Sequence, residues 1–251
     1  MKGVLLLLLL LAMGQVNAQL VNIEARRIHN DSIRRAGEFN FNFSYRDIND
    51  KKFSVLSSNL MLQLKSKNFN SYWLFLGAAD ISKAGGSKFE NSHFLHLRYN
   101  QKWGKIIRWE AFAQFQRNLP IGIQWRYLVG TGPRFKLLSN QLLHLYAGVL
   151  YMYDYERTTN DVLSKGSRNS TYASFTIHVP TIKMEMTGTT YYQPLLQNFK
   201  DYRILSENRL VFNITKKFKV QTSFRYYFDS RPPTGFVAHT IALEQGFGVS
   251  F

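Results

Sequence analysis

Polar and apolar residues alternate with a period of two along most of this chain, and a helical period does not compete with that pattern. Phe39, Phe41, Phe43 and Tyr45 share one face, against Glu38, Asn40, Asn42, Ser44 and Arg46 on the other. Phe218, Val220, Thr222, Phe224, Tyr226 and Phe228 oppose Lys219, Gln221, Ser223, Arg225 and Asp229. The final segment is the clearest. Val237, Ile241, Leu243, Phe247, Val249 and Phe251 stand against Thr240, Glu244, Gly246, Gly248 and Ser250, with His239 and Gln245 as exceptions on the apolar face. Successive side chains of a strand point to opposite sides, so each segment reads as a strand with one apolar face. The pattern predicts strands over 36–47, 53–65, 70–82, 91–101, 105–117, 121–137, 141–155, 169–179, 182–193, 203–214, 217–229 and 237–251. An all-β fold follows, a transmembrane antiparallel β-barrel of about 12 strands and outer-membrane type, spanning 36–251 with its apolar face to lipid.

The connections support that count, because the two rims of such a barrel carry loops of different length. The short set comprises Ser66 to Phe69, Lys102 to Gly104, Ser139-Asn140, Pro180-Thr181 and Thr215-Lys216; with both termini periplasmic, these are the periplasmic turns. The opposite set includes Lys83 to Glu90, Pro194 to Tyr202, Ser230 to Gly235 and the longest loop, Glu156 to Arg168, although Asn118 to Pro120 is short. Hairpin register offers a second check, since a one-residue slip would turn every side chain to the wrong face. Around Pro180-Thr181 the expected opposites are Val179 with Ile182, Ile177 with Met184 and Phe175 with Met186. Around Trp103, Tyr99 is expected opposite Ile107, Leu97 opposite Trp109 and His96 opposite Glu110. Around Thr215-Lys216, Phe212 faces Val220, Leu210 faces Thr222, and Glu207 meets Arg225 on the inner face.

The start of the chain bears on the compartment. Met1-Lys2 is basic, Val4 to Met13 is almost unbroken apolar sequence, and Val16-Asn17-Ala18 has the small residues of a cleavage site. That tripartite order predicts a cleaved signal peptide over 1–18, with the mature chain starting at Gln19. A membrane anchor is the competing reading, but the run falls short of the ~20 residues that a spanning helix needs. Residues 19–35, which carry Glu24, Arg26, Arg27, Arg34 and Arg35, break the alternation and form either a periplasmic N-terminal segment or a partial plug.

Composition then narrows the class. With 20 Phe and 14 Tyr the chain is rich in aromatics, yet its mean hydropathy is −0.23, the mixture produced when lipid-facing and lumen-facing residues alternate. There is no cysteine, so disulfides, thiolate metal sites and a cysteine nucleophile are excluded. The net charge of +16 would suggest nucleic acid in the cytoplasm, but an exported chain meets phosphorylated lipid and anionic solutes instead. The expected partners are therefore outer-membrane lipids and lipopolysaccharide, with no nucleic acid, for a monomer that needs no cofactor.

Two sets of residues carry family information. Phe247-Gly248-Val249-Ser250-Phe251 ends the chain on an aromatic, which resembles barrel precursors and implies that Phe251 is the assembly signal read by the outer-membrane assembly machinery. Leu97-Arg98-Tyr99-Asn100, Arg108-Trp109-Glu110-Ala111-Phe112, Gly130-Thr131-Gly132-Pro133-Arg134-Phe135 and Asn22-Ile23-Glu24-Ala25-Arg26-Arg27 resemble the salt-induced outer-membrane protein family, whose domain has no assigned function. The resemblance implies an outer-membrane barrel and brings no catalytic residues with it.

Enzyme motifs are missing. The sequence has neither a G-x-S-x-G elbow nor an H-E-x-x-H helix, and His93 and His96 fall on opposite faces of a strand, where they cannot chelate one ion. Gly130-x-Gly132 lies in a strand without the helix that a phosphate loop requires, and reads as room for a bend or a bulky neighbour. An outer-membrane lipase would need a serine beside His96, His144 or His178, and no local motif selects one. The expectation is a non-enzyme with no catalytic, cofactor or metal residues.

The informative residues are those assigned to the lumen: Glu38, Arg46, His96, Arg98, Arg108, Glu110, Arg126, Arg134, Lys183, Glu185, Glu207, Arg209, Arg225 and Glu244. Charges so placed predict a narrow solute pore or channel with a charged lumen, and the alternative is that they pair into a plugged structural or envelope-stress barrel without transport. Twelve strands lie between the fully packed and the openly porous sizes.

Overall fold

A computed structural model of the chain describes residues 34–48, 51–84, 90–215 and 218–249. The expected signal peptide, most of the 19–35 segment and Phe251 lie outside the described residues, as do the side chains of Glu38, Arg46 and Glu244.

Twelve strands form one antiparallel sheet in which every strand pairs with its neighbours in sequence. They are β1 (Arg35–Ile48), β2 (Lys51–Lys65), β3 (Ser71–Ala84), β4 (Glu90–Trp103), β5 (Ile107–Asn118) and β6 (Ile123–Ser139). The second half comprises β7 (Leu143–Thr158), β8 (Leu163–Val179), β9 (Met184–Leu195), β10 (Asn198–Asn213), β11 (Phe218–Asp229) and β12 (His239–Val249). Nearest-neighbour hairpins explain this order, because each strand meets its partner after a tight turn. The sheet curls until distant strands touch across its concave side: Tyr172 of β8 reaches Glu110 of β5, and Arg203 of β10 reaches Asp154 of β7.

Burial obeys the predicted parity. In β4, Ser92, Phe94, His96, Arg98 and Asn100 are buried on the concave face, while Leu95 and Leu97 are exposed on the convex one. The convex face is an apolar band with aromatics at both ends. At one end Trp73 packs on Tyr99 and Trp103 on Trp109, with ring centroids 4.8 and 5.3 Å apart. At the other, Trp125 meets Tyr155, and Tyr202 lies between Tyr192 and Phe228. Two aromatic girdles bounding an apolar band are the outer surface of a membrane barrel.

Four expectations need correction. The longest loop, Glu156 to Arg168, is mostly strand: β7 runs to Thr158, β8 starts at Leu163, and Arg157 pairs with Leu163. Its charges mimic a solvated loop, yet Glu156 and Arg168 are buried within the sheet's concavity. Likewise Pro194 to Tyr202 shrinks to a turn between Leu195 and Asn198, so loop length no longer separates the two rims cleanly. The β8–β9 register differs by two residues, with Val179 opposite Met184 and Ile177 opposite Met186, because Pro180–Ile182 forms a single 3-10 turn closed by Lys183 at φ 51°. Lys183 is consequently an exposed turn residue and not a lumen one.

The fourth correction is the β4–β5 register, where Trp103 pairs with Ile107, Tyr99 with Ala111 and His96 with Gln114. The tight turn at Gly104, φ 81°, lengthens both strands and shifts the pairing by four residues, leaving parity intact. The β10–β11 hairpin has the expected register, including Glu207 opposite Arg225.

Candidate functional site in the barrel lumen

The concave wall is not uniformly polar. Across β2, β3 and β4, Met61, Leu74, Leu76, Ala78 and Phe94 form an apolar cluster inside the barrel. The run Tyr72 to Ala79 is apolar on both faces, Trp73 and Phe75 pointing outward while Leu74 and Leu76 point in, as in strands buried on both sides. The rest of the wall carries two charged groups, separated along the barrel.

The first group is built around one carboxylate. Glu110 of β5, with 0% of its surface exposed, accepts hydrogen bonds from Arg98 Nη1 at 2.9 Å, Asn100 Nδ2 at 2.6 Å and Tyr172 Oη at 2.8 Å. Arg134 Nη1 stands 3.5 Å from its other oxygen and stacks over the Tyr146 ring, 3.9 Å from the centroid. Two glycines make this packing possible. A side chain at Gly148 would collide with the Tyr172 ring, and one at Gly130 would lie 2.5 Å from Phe112. The bulky neighbour anticipated at Gly130 is thus the Phe112 ring, while Gly132 lets β7 backbone approach closely. His96 sits beside this group, its Nδ1 3.0 Å from Gln114 Oε1 and its Nε2 accepting from Arg98 Nε at 3.2 Å. Arg108 contacts Asn100 Oδ1 at 3.4 Å.

The second group is a branched network nearer the β7–β8 turn. Arg203 of β10 donates to Asp154 at 2.6 Å, Glu156 at 2.8 Å and Asp229 at 3.0 Å. Arg126 of β6 also holds Glu156, at 2.6 Å, while Arg168 of β8 bridges Asp154 at 3.2 Å and Asp201 at 2.9 Å. Tyr227 Oη donates to Asp229 at 3.2 Å, and its ring packs on Ile121 and Ile123. Such charges are stable indoors only when paired and hydrogen-bonded, which this branching provides.

Between the groups lies a cavity of about 60 Å³ bordered by His96, Gln114, Gln116, Arg126, Ser170 and Gln193. That is room for a few waters. Beyond the Arg203 network a larger space of about 260 Å³ opens under the β7–β8 and β11–β12 turns.

Of the residues predicted for the lumen, His96, Arg98, Glu110, Arg126 and Arg134 are buried in these groups, with Arg108 at their edge. Arg209 donates to Gln221 at 2.7 Å away from both. Glu207 and Arg225 face each other in partly exposed positions. Glu185 is 3.2 Å from His178 at the far rim, where His144 contacts Ser139 at 2.9 Å. Sequence reasoning left Asp154, Glu156, Arg168, Asp201, Arg203 and Asp229 off the site. Asp154, Glu156 and Thr158 continue the inward parity of Leu150 and Met152, which was the available signal.

Comparison with known proteins agrees with this architecture. The family described as "Protein of unknown function, DUF481" matches residues 54–251, well over half of the chain. The chain belongs to this family. The match takes in every residue of both charged groups, so the lumen just described is the lumen of a family member. No curated protein matches the chain. A solved structure described as "NanC porin structure in rhombohedral crystal form" is similar in fold, with a TM-score of 0.51 at 9% identity, covering 87% of this chain and 98% of that one. The fold is therefore that of an outer-membrane β-barrel, in a chain whose lumen side chains are its own.

Proposed function

We propose that this family member is an occluded outer-membrane barrel, a structural or envelope-stress component whose lumen does not conduct at rest. One observation carries the reading. Lumen side chains from several strands, including Leu74 and Glu110 at 0% and Leu150 and Met152 at 1% exposure, are closed to solvent. An open pore of this strand number would leave lumen side chains wet. In this reading the chain is not an enzyme, and the Ser139–His144 contact simply closes the β6–β7 turn. The barrel sits as a monomer among lipopolysaccharide and phospholipid, with the β7–β8 turn outside the cell, after assembly directed by Phe251. Resemblance to salt-induced outer-membrane proteins suits such a role.

A narrow solute pore is the second reading, favoured by the 260 Å³ space that leads toward the smaller cavity. It requires the Arg203 contacts to part. Planar-bilayer recording of the refolded protein separates the two: the occluded barrel stays silent, whereas steady ion-selective steps from the unaltered chain establish the pore.

A further inference from the structure

The 260 Å³ vestibule above the Arg203 network has a chemistry of its own. Its carboxylates, Asp154, Glu156 and Asp201, are all held by guanidinium groups from Arg126, Arg168 or Arg203. Its other cations are placed differently. Arg231 and Lys165 line the same space, and among the described residues neither side chain makes an ion pair. The unspent charge of the vestibule is therefore positive. Pro232, Pro233, Val162 and Leu195 add an apolar wall, and Asn160 Nδ2 donates to the Thr234 carbonyl at 2.8 Å, tying the two turns together over the space.

We propose that this vestibule is a binding site for a small organic anion, with a carboxylate or phosphate against Arg231 and Lys165 and a carbon body against the proline wall. A carboxylate ligand cannot displace Asp154, Glu156 or Asp201 without leaving them buried and unpaired, so the floor repels it and the rim holds it. At about 260 Å³ the space falls just below the ~300–1,000 Å³ of pockets for drug-sized ligands, which restricts it to a compact solute. Guanidinium and ammonium groups at the mouth also draw anions in from solution before contact. Binding requires only the vestibule, whether or not the lumen beneath it ever opens.

The test is calorimetric titration of the refolded full chain in neutral detergent with benzoate and phenyl phosphate, against benzamide and benzylammonium as neutral and cationic counterparts. Saturable one-to-one binding of at least one anion is expected, with neither counterpart binding. Arg231→Gln should weaken it about tenfold, the loss of one charge-assisted contact, and Arg231→Lys should restore most of it. Substituting Arg117, exposed on the convex face, should change nothing. Absence of saturable binding, equal binding of benzamide, or full affinity in Arg231→Gln overturns the site. Inorganic phosphate binding as tightly as phenyl phosphate overturns the apolar half of the assignment. Conductance is not measured here, so failure of binding and failure of occlusion are read separately.

Discussion

The two charged groups of the lumen solve the same problem in different ways. Around Glu110, among the described residues, one carboxylate serves both Arg98 and Arg134, with Asn100 and Tyr172 also donating to it. Around Arg203, three arginines and four carboxylates share seven or more contacts, so most members have more than one partner. The first group is compact and centred on one carboxylate; the second is branched and tolerates loss at its edges. Stability should therefore concentrate at Glu110, and the outer network should yield gradually.

The largest effect is expected from Glu110→Gln. Two buried guanidinium groups would lose their common anion, a loss of about 3–5 kcal/mol for a buried pair broken on one side. Urea unfolding in lipid vesicles measures it, and a change comparable to that of a surface substitution would refute the single-anchor view. Gly148→Ala comes next, because its methyl group would occupy the place of the Tyr172 ring and pull the hydroxyl from Glu110. Overpacking of that kind costs about 1–3 kcal/mol, and a double mutant with Tyr172→Phe should be less than additive. Asp201→Asn removes one edge of the branched network, leaving Arg168 with Asp154, and should cost about 1 kcal/mol or less. A loss as large as that at Glu110 would show that the outer network has no redundancy. The smallest effect belongs to Glu207 and Arg225, directly opposed on β10 and β11 but partly exposed. A double-mutant cycle with both glutamine variants should give a coupling of about 0–1 kcal/mol.

Parity made the strands legible, since twelve segments with apolar faces fix which side chains point in. Glu110, Arg98, Arg126 and Arg134 could be placed for that reason. Their partners could not. Arg203 joins β10 to β7, and Tyr172 joins β8 to β5, contacts set by the curl of the sheet and not by adjacent-strand pairing. Glu156 and Arg168 were obscured because buried ion pairs and solvated loops use the same residues. Register failed where turn geometry intervened: nothing in Pro180-Thr181-Ile182-Lys183 announces a left-handed lysine, and the apolar inner wall of β3 was hidden in a run apolar on both faces.

The central claim is that the small cavity between the two groups is shut off from bulk water, and Met152, 1% exposed, borders it. The chain has no cysteine, so Met152→Cys introduces a single reactive site whose modification by a small water-soluble thiosulfonate reports water access directly. Ser164→Cys, on the vestibule wall, provides the open reference. An occluded lumen predicts modification of Met152→Cys at least ~100-fold slower than of Ser164→Cys, about the protection given by a local opening costing ~3 kcal/mol. Equal rates at the two positions in folded, membrane-inserted protein would contradict it.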